Sequence, residues 1–97
     1  MPRGKPSAAA VSRIVTITNQ RGLHARAAAR IVKTVALFRA QVEVSRNGTT
    51  VSGESIMGLM MLAAAPGCDI TLRATGPQAA EAVEALAELV SRKFDEE

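Results

Sequence analysis

The dipeptide Asn47-Gly48 lies between two short runs whose residues alternate between apolar and polar. Before it, Gln41 to Arg46 places Val42 and Val44 on one side and Gln41, Glu43 and Ser45 on the other; after it come Thr49 to Ser52. Both turn residues tolerate positive φ, which the tight turn of a twisted hairpin requires. An antiparallel hairpin is therefore expected, and 97 residues give room for one compact domain around it. An antiparallel sheet can keep one face wet, so the helices belong on the other.

The remaining elements follow from periodicity. Residues 12–18 read as a first strand, with Val15 and Ile17 on one face and Thr16 and Thr18 on the other. Asn19 to Gly22 is a loop. Ala25 to about Leu37 reads as a helix with a buried stripe of Ala28, Ile31, Val32 and Val35. Ser55 is the expected N-cap of a short second helix ending near Leu62. Pro66-Gly67 marks a turn, and Asp69 to Thr75 is a fourth strand with Ile70, Leu72 and Ala74 inward. Gly76-Pro77 opens the last helix, with the proline expected in its first turn. Val83, Leu86, Val90 and Phe94 form its buried stripe, Glu88 can pair with Arg92, and Asp95 to Glu97 are expected to fray.

The order is β-α-β-β-α-β-α. The expected fold is α+β, an open-faced β-sandwich in which a four-stranded antiparallel sheet carries three helices on one face. Residues 1–11, with Pro2, Gly4, Pro6 and Ser7, are expected to be a disordered N-terminal extension to a domain over 12–97.

Composition narrows the function. The net charge of +3 is read as a property of the tail: without Arg3, Lys5 and Arg13 the remaining nine basic residues balance nine acidic ones. The basic excess is therefore poor support for nucleic-acid binding. The single cysteine, Cys68, excludes an intrachain disulfide and a multi-cysteine metal site and fits a reducing compartment. No His/Cys/carboxylate cluster suggests a metal, and no glycine-rich phosphate loop suggests a nucleotide. No apolar run is long enough for a membrane helix, and the N-terminus has no signal-peptide core. A cytoplasmic protein without cofactor or metal is expected.

The chemistry concentrates in Asn19-Gln20-Arg21-Gly22-Leu23-His24-Ala25-Arg26, which holds the only histidine. His24 sits where a strand hands over to a helix. The first N–H groups of a helix have no internal partner, and with the helix dipole they favour an anion. The same positive end disfavours the imidazolium, so a neutral, nucleophilic ring is expected. Arg26 can bind phosphate oxygens. Arg30 and Lys33 continue a basic face that is either solvated or a docking surface for an acidic partner. In the second helix, Ile56, Met57, Leu59, Met60, Met61 and Leu62 are too many apolar residues for one face of two turns. Ile56, Met57 and Met60 are the expected adaptable docking patch, against the alternative that all pack inward. On the residues alone, a surface histidine that caps a helix is the commoner meaning of His24, and capping alone explains Ser55.

Gly22-Leu23-His24-Ala25-Arg26 resembles the active-site signature of the HPr family, the histidine phosphocarriers of the bacterial phosphoenolpyruvate-dependent phosphotransferase system. Ser55-Ile56-Met57-Gly58 resembles the regulatory serine segment of the same family. The resemblance runs from about Val11 to about Phe94, and two motifs in the right order make it far more specific than either alone. It implies the open-faced fold. It implies that His24 is phosphorylated on Nδ1 by enzyme I, with Arg26 assisting, and that the group passes to a histidine of an enzyme IIA domain in sugar transport. It also implies regulatory phosphorylation of Ser55 by an HPr kinase/phosphorylase, as in some members. The family usually has proline where this chain has Ala27, so a looser helix start is expected.

Two other readings compete. A regulatory HPr-like protein of a nitrogen-related branch would share His24 and differ in its partners. A small α/β module binding RNA through its open sheet would need aromatic residues on a central strand, and Phe38 and Phe94 both lie outside the strands. A carrier that docks alternately with two partners is expected to be a monomer.

Overall fold

The computed structural model of the protein describes residues 10–96, so Arg3, Lys5 and most of the expected extension lie outside the described residues. The elements are β1 (Val11–Thr16), α1 (Ala25–Val35), β2 (Gln41–Arg46), β3 (Thr49–Ser52), α2 (Ile56–Met61), β4 (Asp69–Thr75) and α3 (Ala79–Ser91), followed by a tight turn at Lys93–Asp95. The sheet order is β1-β4-β2-β3, and every pairing is antiparallel. This is the expected α+β open-faced sandwich.

Alternation decides which side of the sheet is covered. Val42 and Val44 of β2 and Ile70, Leu72 and Ala74 of β4 are buried beneath the helices. Val44 lies opposite Leu72, and Val42 opposite Ala74, so the two central strands present one continuous apolar surface. The facing stripe of α3 includes Ala82, Val83, Leu86 and Val90, and that of α1 includes Ala27, Ala28, Ile31 and Val35. Alanines let the helices approach closely, while Ile31, Leu59 and Leu86 fill the space between layers. The opposite face is polar: Thr16 donates to Asp69 at 2.6 Å, and Arg73 meets Glu43 at 3.5 Å. Ile14 stands there 67% exposed.

Several expectations are corrected. Val11 begins β1 rather than ending the extension, and β1 stops at Thr16, although Ile17 remains buried. Arg13 is no tail charge: it lies in β1 and pairs with Glu84 of α3 at 3.0 Å. Both side chains are about half exposed or more, so the pair adds little stability. In α1 the buried residues are Ala27, Ala28, Ile31 and Val35, while Val32 is only half-buried. Pro77 lies before the α3 N-cap, Gln78, rather than in the first turn. Arg92 pairs with Asp95 at 2.9 Å and not with Glu88. That hydrogen bond and the guanidinium charge hold the Asp95 carboxyl below its usual range. Phe94 is fully buried, but beyond the end of α3.

Asn47 and Gly48 have φ of 51° and 82°, the positive values the hairpin needs. Gly22 also has positive φ, 68°, and a Cβ there would meet the Ala64 carbonyl oxygen at 2.5 Å. At Gly48 nothing lies within 4 Å. The two glycines should therefore respond differently to alanine. In urea unfolding, Gly48→Ala is expected to lose about 1 kcal/mol, the left-handed penalty alone. Gly22→Ala is expected to lose about 3 kcal/mol, because backbone must also move.

Candidate functional site

His24 is the N-cap residue of α1, with extended backbone (φ −82°, ψ −178°). Its side chain makes no capping hydrogen bond, so capping does not account for it. The first closed helical bond runs from Ala28 N–H to the His24 carbonyl at 2.9 Å, and the N–H groups of Ala25, Arg26 and Ala27 precede it. No acidic residue occupies the first turn, so nothing there offsets the positive helix end. The first turn is regular despite Ala27, which is fully buried.

The loop before His24 is fastened to the segment that follows α2. Ile17 N–H donates to the Cys68 carbonyl at 2.8 Å, Gly67 N–H to the Ile17 carbonyl at 2.7 Å, and Leu23 N–H to the Ala64 carbonyl at 2.9 Å. Arg46 reinforces this segment by donating to the Leu62 carbonyl at 3.0 Å and to the Cys68 sulfur at 3.3 Å.

The end of the chain completes the site. Of the residues expected to fray, Glu97 lies outside the described residues and Glu96 is held in place: one carboxylate oxygen takes the hydrogen bond of His24 Nε2, and the other accepts from Asn19 Nδ2 at 3.1 Å. Asn19 is 1% exposed and its amide also donates to the Gly22 carbonyl at 2.8 Å. Burial pushes the Glu96 carboxyl up. The hydrogen bonds from His24 and Asn19 and the charges of His24 and Arg21 outweigh burial and hold it below the ordinary carboxylate range.

Arg26 and Lys33 are exposed on α1, whereas Arg30 is half-buried with its Nε buried and without a partner. Ser55 caps α2 as expected, its hydroxyl accepting from Gly58 N–H at 2.9 Å. Ile56 and Met60 are each 39% exposed and Met57 is 70% exposed, while Leu59 and Leu62 are buried. Helices α1 and α2, which carry these two sets of side chains, pack against each other.

The family model for the PTS HPr component phosphorylation site matches residues 11–92. The phosphocarrier protein HPr of Cupriavidus necator is 46% identical over 86 residues, covering 89% of this chain and 97% of that protein. The chain belongs to the HPr family. A phosphocarrier protein NPr from Shewanella violacea is 40% identical, over 89% of this chain and 94% of its own length. Among solved structures, HPr-C-His from Thermoanaerobacter tengcongensis superposes with a TM-score of 0.85 at 39% identity, covering 90% of this chain and 98% of that one.

For this HPr-family chain the structure adds residues that sequence reasoning missed. Glu96 and Asn19 join His24, and no spacing could signal a contact across 72 positions. Met61 and Leu37 are exposed apolar side chains as well, each 75% exposed. Met61 was among the apolar excess of α2, but only the helix phase shows which side it takes. Among the described residues no three metal-binding side chains cluster, and no helix is long and apolar enough to cross a membrane.

The Glu96 contact has a defined pH dependence. Its carboxyl is lowered on folding, so its contribution is complete above the ordinary glutamate range and is lost as pH falls through the lowered value. Acid titration followed by carboxyl carbon resonances should show Glu96 titrating below an ordinary glutamate, with the Asn19 side-chain amide resonance shifting in step.

Proposed function

We propose that this protein carries a phosphoryl group on His24 Nδ1, taking it from enzyme I and passing it to a histidine of an enzyme IIA domain. The observation that carries this reading is the placement of His24 at the open end of α1, with only Nε2 of its ring hydrogen-bonded among the described residues. Nδ1 is left with a lone pair for attack on phosphorus. As the Nδ1–P bond forms, the bond from phosphorus to the donor group on enzyme I breaks, and its electron pair leaves with the donor. Arg26 and the free N–H groups of the first turn of α1 hold the phosphate oxygens. The N–P bond remains easy to break, so the group can move on.

Arg26, Arg30 and Lys33 would attract acidic surfaces of the partners, with Arg30 contributing charge more than contact. Ile56, Met57, Met60 and Met61 would supply an adaptable apolar contact. The carrier would act as a monomer, because it presents the same face first to a donor and then to an acceptor. Its similarity to an NPr supports a second reading, in which the acceptor belongs to a regulatory nitrogen branch rather than to sugar transport. Competition between the two kinds of enzyme IIA for the phosphorylated protein separates them.

Phosphoenolpyruvate and enzyme I should add one acid-labile phosphate to the folded protein and none to His24→Ala. No phosphate on the folded wild type, with the enzyme I active on another carrier, would overturn the reading. Arg26→Ala should slow transfer at least tenfold, the effect of about 1.5 kcal/mol from a lost charge-assisted hydrogen bond.

Ser55 is proposed as a regulatory site. A phosphate on its hydroxyl would add about two negative charges at a helix start, beside the apolar surface. The fold tolerates charge there, because Asp also caps helices well. Ser55→Asp should therefore keep its stability but bind enzyme I several-fold more weakly in a calorimetric titration. Ser55→Ala should show the converse, losing about 1 kcal/mol of stability with little change in docking. Equal transfer by wild type and Ser55→Asp would argue against regulation here.

A further inference from the structure

Glu96, from the far end of the chain, meets the one histidine on the nitrogen that the carrier reading leaves unused. An ionised carboxylate only accepts hydrogen bonds, so His24 Nε2 must be the donor. A neutral imidazole has one N–H, and placing it on Nε2 strips Nδ1 of its proton. Glu96 is itself held. Its second oxygen accepts from Asn19 Nδ2 at 3.1 Å, and the same amide donates to the Gly22 carbonyl at 2.8 Å. Both partners of that nitrogen are acceptors, so the orientation of the buried Asn19 amide is determined. The chain end is anchored one step earlier, where Phe94 is fully buried and Asp95 is bonded to Arg92.

We infer that Glu96 is a positioning residue for phosphoryl transfer: with Asn19 it fixes the ring and the tautomer of His24 so that Nδ1 is the nucleophile. This rests on the carrier reading for its consequence, but not for its geometry. The arrangement follows a general rule for imidazoles that act through one nitrogen, whose orientation and basicity are set by what the other nitrogen touches. As Nδ1 attacks phosphorus its ring gains positive charge, and the carboxylate on Nε2 stabilises it. The Nε2 proton stays between the ring and Glu96, so no proton need leave the site.

The test uses the full chain as wild type, Glu96→Gln and Glu96→Ala. Ring 15N shifts are read without any phosphoryl donor, at a pH where the imidazole is neutral; phosphorylation by phosphoenolpyruvate and limiting enzyme I is then timed. Wild type is expected to show the Nε2–H tautomer alone. Glu96→Ala is expected to show a mixture of both tautomers and roughly tenfold slower phosphorylation, in a protein that still folds. Glu96→Gln retains an acceptor oxygen and should restore most of the tautomer signature and part of the rate. Identical ring shifts in wild type and Glu96→Ala would overturn the inference, and so would a shifted tautomer with an unchanged rate. Failure of the wild type to be phosphorylated at all would instead sink the carrier reading, while the nitrogen shifts would still report on Glu96.

Discussion

The hydrogen bond from Leu23 N–H to the Ala64 carbonyl, at 2.9 Å, is the contact on which the arrangement of the functional surface depends. It brings the loop before α1 against the segment after α2, with Gly22 pressed so close to Ala64 that no side chain fits. Buried Leu23 fills the space beneath. Once this junction is fixed, the direction of α1 and the cap position of His24 are fixed with it. The same junction anchors the exit of α2, whose outward residues form the apolar surface. His24 and the exposed apolar residues of α2 are thus attached to one seam, and movement of the seam would displace both.

A second constraint acts at the chain end. Lys93, Phe94 and Asp95 all have φ between 56° and 60°, and none is glycine. Each left-handed residue costs roughly 1–2 kcal/mol. Full burial of Phe94 returns up to about 3 kcal/mol, and the Arg92–Asp95 pair closes the turn on its exposed side. The turn reverses the chain after α3 and delivers Glu96 to His24. Backbone strain is held at the functional end of the molecule and offset by packing next to it.

These constraints show why the sequence was legible where it was. The hairpin, β4 and the Ser55 cap depend on neighbours within a few positions, and alternation, Asn-Gly and the cap residue carry that information directly. The single-domain open sandwich followed from antiparallel pairing. The chain end was opaque for a specific reason. Phe94 stands four residues after Val90, so it mimics one more turn of the α3 stripe, and no glycine or asparagine announces the left-handed turn. Arg13 looked like a tail charge because its partner, Glu84, is 71 positions away. In α2 six apolar residues exceeded what one face can bury, and composition could not say that Met61 would join the exposed set.

Charge around His24 is balanced rather than one-sided. The open helix end, with Arg21 and Arg26 nearby in sequence, favours an anion, while Glu96 favours positive charge on the ring. A purely basic site would hold a phosphoryl group too well, and a purely acidic one would not accept it. A phosphocarrier must do both, so the useful property is a small difference between its loaded and empty states. On the proposed reading the two influences would act on different nitrogens of one ring, Glu96 at Nε2 and the helix end through a phosphate on Nδ1. On that reading the carboxylate would compensate the charge that develops on the imidazole during transfer, and the helix end would compensate the charge on the phosphate oxygens. Neither would need the protein to move, which suits a domain whose helices and sheet share one close-packed core.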